Sequence, residues 1–182
     1  MEVAAAVAAL RAGGVIAFPT DTVYGLAAAP GFEAAVYAVK GRPEEMPLIL
    51  MVGRFPDLDG FVAIDRRARW YMDRWWPGPL TLVLPAIAGG TLGVRIPDHP
   101  LALELLRAAG PLLTTSANRH REPPALTAAD AGLLPGLAGV LDGGPVLGGE
   151  PSTVISLLPG MEMTVIREGA ISSHLLGDDE HL

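Results

Sequence analysis

The chain has 182 residues, half of them hydrophobic, with 20 acidic against 13 basic side chains for a net charge of −7. That length suits one domain burying roughly 70% of its unfolded surface, and the acidic balance argues against a dedicated nucleic-acid binder, which needs a basic footprint. Cysteine is absent, which excludes disulfides, thiolate nucleophiles and thiolate metal sites; no apolar run reaches the ~18 residues of a membrane-spanning helix, and a cytoplasmic protein is expected.

Residues 2–12 read as a helix closed by Gly13 and Gly14. Glu2, the lack of a basic stretch ahead of the apolar residues, and Val3, Val7 and Leu10 on one helical face make this an ordinary first helix rather than a leader. VIAFP (15–19) is a short strand, followed by the polar turn Thr-Asp-Thr and then VYGL. FEAAVYAVK (32–40) has helical spacing and stops at Gly41, with Pro43 beyond. PLILMV (47–52) is a buried strand, and DRRARWYMDRWW (65–76) a helix ended by Pro77-Gly78-Pro79. Its Arg66, Arg67, Arg69 and Arg74 form a local basic cluster, read as a solvated helix face.

LTLVLP (80–85) and TLGVRIP (91–97) make a strand pair around Gly89-Gly90, and HPLALELLRAAG (99–110) is a helix opened by Pro100 and closed by Gly110. PLLTTSAN (111–118) is a strand running into a polar loop, TAAD (127–130) a helix start, and STVISLL (152–158) and MTVIRE (163–168) are closing strands. No repeat, linker or composition break divides the chain. The expectation is a single α/β domain over 1–172, a mixed parallel and antiparallel sheet with flanking helices, and a flexible tail over 173–182.

Several chemistries are missing. No phosphate-loop motif, G-x-G-x-x-G or H-E-x-x-H occurs, His99, His120, His174 and His181 are scattered without metal-ligand spacing, and none of the few serines sits in a nucleophile elbow. Polar islands instead mark the ends of apolar strands: FPTDTVYGL, KGRP, GVRIP, TTSAN, PSTV and IREG. Each alone is ordinary turn chemistry, and Arg95 alone could be a structural ion pair. Together they suggest an anion or nucleotide pocket at strand ends. Lys40 is the only lysine beside twelve arginines. An arginine would serve the helix dipole equally well, so the retained lysine points to a role that needs a compact point charge beside the Arg42 fork.

In this order the islands resemble the Sua5/YrdC family, the threonylcarbamoyl-AMP synthases, in a short single-domain bacterial form. The matching stretches are GGVIAFPTDTVYGLAA, KGRPEEMPLIL, WPGPLTLVLP, GVRIPDHP, TTSAN, PSTVI and IREGAI, which cover most of residues 13–170. The resemblance implies a twisted sheet with a concave, electropositive cavity. It implies condensation of L-threonine, bicarbonate and ATP to threonylcarbamoyl-AMP and pyrophosphate, for t6A modification of tRNA. On the same basis Lys40 and Arg42 are the catalytic pair at the ATP phosphates, and Thr91, Ser116, Asn118 and Arg167 further ATP contacts. Thr20, Thr22, Tyr24, Arg95, Thr114 and Ser152 line the threonine site, with Arg95 facing the substrate carboxylate.

Mg²⁺ is expected to come with ATP, with no metal held by the protein itself. Partner proteins that use the intermediate, weak association with tRNA or double-stranded RNA, and no membrane complete the implied picture. This chain departs from the family at Met46, where Lys or Asn is common, at His120-Arg121 in place of Ser-Gly, and at Pro124-Ala125 in place of Ser-Pro. Two other readings stand beside it: an RNA-binding translation or ribosome-maturation factor using the same cavity, and a carbamoyl-adenylate-forming relative like the corresponding domain of hydrogenase-maturation carbamoyltransferases.

Overall fold

Each expected strand and helix forms within two or three residues of its expected bounds. The computed structural model describes residues 1–41 and 46–177. In chain order the elements are α1 (Val3–Arg11), β1 (Ile16–Phe18), β2 (Gly25–Ala28), α2 (Glu33–Lys40), β3 (Ile49–Met51), α3 (Arg66–Trp75), β4 (Leu80–Pro85), β5 (Thr91–Arg95), α4 (Pro100–Ala109), β6 (Leu112–Ser116), α5 (Ala128–Ala131), β7 (Gly139–Val140), β8 (Thr153–Ser156) and β9 (Thr164–Arg167). The described strands make one mixed sheet in the order β7-β1-β2-β6-β3-β5-β4-β8-β9. The pairs β1–β7, β3–β5 and β4–β8 are parallel, and the remaining neighbours run antiparallel.

Local chemistry sets several boundaries. Asp65 caps α3, its carboxylate accepting from the Ala68 amide at 2.7 Å, a contact worth ~1 kcal/mol. Gly41 ends α2 at φ 62°, a left-handed conformation that glycine adopts without steric cost. The β4–β5 hairpin turns through Gly89 and Gly90, both at positive φ, which suits the strand twist on either side.

The two faces of the sheet are covered differently. On one, α1 and α4 bury Leu10, Ala102, Leu105 and Leu106 against Ile16, Phe18, Ala27, Met51 and Leu112. On the other, α3 packs over Leu50, Leu80, Leu82 and Val94, while α2 and α5 cover Tyr24, Leu26 and Ala28. Each leucine buried in this way contributes ~1.5–3 kcal/mol. Beyond α1 and α4 no described helix covers the first face, and the strand residues pointing out of it there include glycines and hydroxyls beside Ile49 and Val83.

One expectation needs correction, and two short elements were not foreseen. The tail expected from residue 173 belongs to the fold as far as Gly177, because Ser173–Leu175 form a 3-10 turn and Leu176 is 0% exposed in the α3 core. Strand β7 and a 3-10 turn at Phe55–Leu58 were not anticipated; both are too short to carry a periodic signal.

Candidate functional site

Side chains alternate across a strand, so a register fixes which residues share a face. Gly25 lies opposite Ser116, Ala27 opposite Thr114, and Thr114 opposite Ile49; Ile49 neighbours Gly93, which lies opposite Val83. These residues share the face that α1 and α4 cover in part, Ala27 beneath those helices and the others beside them, where a cavity of about 880 Å³ forms. Its wall also includes Thr20, Thr22, Thr91, Arg95, Ser152, Ile166 and Arg167. Five of the six polar islands therefore converge, from strands far apart in sequence. Of the sixth, Lys40 reaches Ser116 on the cavity wall, while Arg42 and Pro43 lie outside the described residues.

Arg95 forms the floor and is 2% exposed. Its Nη2 donates to Asp21 Oδ1 at 2.6 Å, Nη1 to Thr22 Oγ1 at 3.1 Å and Nε to the Gly78 carbonyl at 2.9 Å. Those bonds use three donors, and the rest of the fork remains for a ligand. Burial pushes the Arg95 guanidinium below its usual range, and the Asp21 charge pulls it partly back. Arg95 thus makes an ion pair and stands on the cavity wall at once. Asp21 Oδ2 is buried without a hydrogen-bond partner among the described residues.

Hydroxyls frame this floor. Thr20 Oγ1 donates to the Val23 carbonyl at 2.6 Å and lies 2.9 Å from Thr22 Oγ1, while Thr114 Oγ1 donates to Ile49 O at 3.1 Å. Ser152 shares a 2.8 Å hydrogen bond with Thr81. Arg167 reaches across from β9, donating to the Ser152 carbonyl at 2.8 and 3.2 Å and to its Oγ at 3.3 Å. Burial first, and then the positive charge of Arg95, lowers the Arg167 guanidinium from its ordinary value. Two cations that repel across one cavity are both relieved by an anion between them.

Glycines keep the floor flat. A Cβ on Gly93 would sit 2.8 Å from Ile49 Cγ2, and one on Gly25 3.0 Å from Phe18 Cε1. Among the described residues no group of three His, Cys, Asp or Glu side chains converges as a metal site.

One assignment is overturned. Tyr24 is fully buried on the opposite face, where its hydroxyl donates to Gly144 O at 2.8 Å; the alternation that puts Gly25 in the cavity puts Tyr24 behind the sheet. Lys40 and Asn118 stand behind the wall as neighbours of Ser116 rather than on it. Several wall residues were missed: Glu33 and Tyr37 project from α2, and Pro47, Leu48 and Val83 supply apolar surface. The spacing of Glu33, Tyr37 and Lys40 along one helix face is the signal that marks the first two. Met46, noted for its lost polarity, lies on the same wall.

The fold and cavity define a Sua5/YrdC-like domain, and comparison agrees. The Sua5/YciO/YrdC family model, described as "Telomere recombination", matches residues 8–169. The chain belongs to this family. It is 46% identical over 157 residues to a threonylcarbamoyl-AMP synthase of Stenotrophomonas maltophilia, covering 76% of this chain and 84% of that one. Against the synthase of Bacillus subtilis it is 39% identical over 188 residues, which is 94% of this chain and 54% of that one, so it spans about half of that relative. Among solved structures, Sua5 of P. abyssi complexed with L-threonine superposes with a TM-score of 0.86 at 33% identity, over 92% of this chain and 54% of that one. YciO of E. coli gives 0.79 at 27% identity, over 92% and 88%.

Proposed function

We propose that the chain condenses L-threonine, bicarbonate and ATP into threonylcarbamoyl-AMP and pyrophosphate. The observation that carries this reading is one cavity holding two separated cations, Arg95 and Arg167, among the hydroxyls of Thr20, Thr22, Thr114, Ser116 and Ser152. Arg95 takes the amino-acid carboxylate on its remaining donors, and the neighbouring hydroxyls take the substrate's own hydroxyl. The amine attacks the carbon of CO₂ and loses a proton, or attacks the carbon of bicarbonate with water leaving, and on either route becomes a carbamate. A carbamate oxygen then attacks the α-phosphorus of ATP, and pyrophosphate leaves.

Neither step needs a nucleophile from the protein. Positioning and charge neutralisation carry the rate, which suits a cavity without cysteine or a nucleophile elbow. Thr91, Ser116 and Arg167 are assigned to the nucleotide, Arg42 to its phosphates, and magnesium enters with the triphosphate as part of the substrate. The product is a mixed anhydride, so a transferase acting on tRNA would consume it. No described helix is long and apolar enough to cross a membrane, and the reaction is assigned to the cytoplasm. The RNA-binding alternative is not favoured, because nonspecific RNA affinity rests on phosphate neutralisation and the net charge is −7.

The test is pyrophosphate release with ATP, Mg²⁺, bicarbonate and single amino acids. Release should require both threonine and bicarbonate. Serine should be poorer but active, since one methyl contact gives only ~1–3 kcal/mol of discrimination. Equal turnover with glycine or alanine would sink the threonine assignment.

A further inference from the structure

Lys40 is 4% exposed and absent from the cavity wall, although Ser116 beside it is on that wall. Its Nζ donates to oxygens of the loop that follows β6: Ser116 O at 2.7 Å, Ser116 Oγ at 3.2 Å, Asn118 O at 3.2 Å and Asn118 Oδ1 at 2.6 Å. The same residue accepts from that loop, its carbonyl taking the His120 amide at 3.1 Å. Asn118 passes the restraint onward, its Nδ2 donating to Arg119 O at 3.0 Å and Glu122 O at 2.6 Å. Ser116 Oγ donates to Asn118 Oδ1 at 2.6 Å, so the hydroxyl that faces the cavity is oriented by the group that Lys40 holds.

We propose that Lys40 is a positioning residue, whose ammonium fixes the shape of the 116–122 loop that receives the nucleotide instead of contacting the phosphates itself. The inference rests on the reading of this cavity as an ATP site. It also accounts for a single lysine among so many arginines. Four oxygens lie within 3.2 Å of one nitrogen, an arrangement that a compact ammonium fills. A planar fork spreads its donors over several atoms and would push those oxygens apart.

The two roles separate by comparing ATP with AMP, which lacks the outer phosphates. Dissociation constants for Mg-ATP, AMP and L-threonine are measured by calorimetry for the wild type, Lys40→Met, Lys40→Arg and Asn118→Ala, with melting temperatures alongside. Buried oxygens that lose a charged donor cost enough to weaken binding at least about tenfold. Both Lys40 variants should therefore lose AMP and ATP affinity by the same factor, with L-threonine affinity held within about twofold. Asn118→Ala, which leaves the ammonium in place, should reproduce the equal loss, and combining it with Lys40→Met should add little. A loss confined to ATP, or full nucleotide affinity in Lys40→Arg, would overturn the inference. A wild-type protein that binds neither nucleotide would overturn the ATP reading, and this proposal with it.

Discussion

At one end of the cavity Arg95 rises from the end of a strand and meets a carboxylate, a hydroxyl and a carbonyl. Behind the wall at the other, Lys40 leaves the last turn of a helix and meets the oxygens of a loop. The first cation is held by the framework: β5 lies between β3 and β4, and the turn that carries Asp21 and Thr22 joins β1 to β2. The second holds a segment with no regular structure between Ala117 and Thr127. The difference separates stability from binding. Damage at the Arg95 end should fall first on the fold, whereas damage at the Lys40 end should fall on the ligand.

The largest effect is expected for Arg95→Ala. It leaves the mostly buried Asp21 carboxylate beside Thr22 without its cation, a situation that in a buried pair typically costs ~3–5 kcal/mol. In a chain of this size that corresponds to a melting temperature lower by roughly 10 °C, together with loss of threonine-dependent pyrophosphate release. A melting temperature within about 2 °C of wild type would show that the framework does not depend on this pair.

Lys40→Arg should give the opposite profile. Melting should stay within about 2 °C of wild type, while pyrophosphate release falls on the order of a hundredfold because the loop sets ligand geometry to about 1 Å. Wild-type turnover in this variant would erase the contrast between the two ends.

Arg121 sharpens the loop side of the comparison. It sits at φ 70°, a conformation that costs a side-chain-bearing residue ~1–2 kcal/mol. Arg121→Gly should therefore stabilise the protein by ~1 kcal/mol, raising the melting temperature by ~2–4 °C. A drop in melting temperature instead would mean that the arginine side chain contributes more than its backbone costs.

The smallest effect belongs to His99, the residue before α4, whose Nδ1 is buried without a partner among the described residues. Burial lowers its pKa, and the nearby charges of Asp21 and Asp98 only partly oppose this. The unfolded chain then binds the proton more readily than the folded one, so stability is full above the ordinary histidine pKa and declines as pH falls through it. Melting should drop by ~1–2 °C between about pH 7.5 and about pH 5.5, and His99→Gln should flatten that part of the profile. An unchanged slope in the variant would clear His99 of the effect.

Much of this was readable in the residues. The apolar run LTLVLP at 80–85 and the stretch PLLTTSAN at 111–118 read as strands, the second running into a polar loop, and Gly89-Gly90 announced the hairpin between β4 and β5. The polar islands identified the cavity because strand ends and anion-binding groups travel together in α/β sheets. What stayed hidden depends on long-range geometry. Asp21 looked like turn chemistry until its partner 74 positions away came into reach. The clasp of Lys40 on Asn118 spans 78 positions. Tyr24 was misplaced because its neighbours are apolar on both sides, leaving no alternation to say which face it takes.

The cavity wall runs from Thr20 near the start of the fold to Arg167 on β9, the outermost strand beyond β8. A growing polypeptide on the ribosome therefore has one guanidinium but not the other until the final strand has emerged and paired. Substrate cannot chaperone the early stages of that process, since the half-built pocket lacks the wall that Arg167 and Ser152 close. Once the strand is in place, a ligand at a hundred times its dissociation constant adds about 2.7 kcal/mol to the completed fold. Threonine or nucleotide supplied to cells should thus rescue a fragile variant by slowing its later turnover, and leave the yield of its synthesis unchanged.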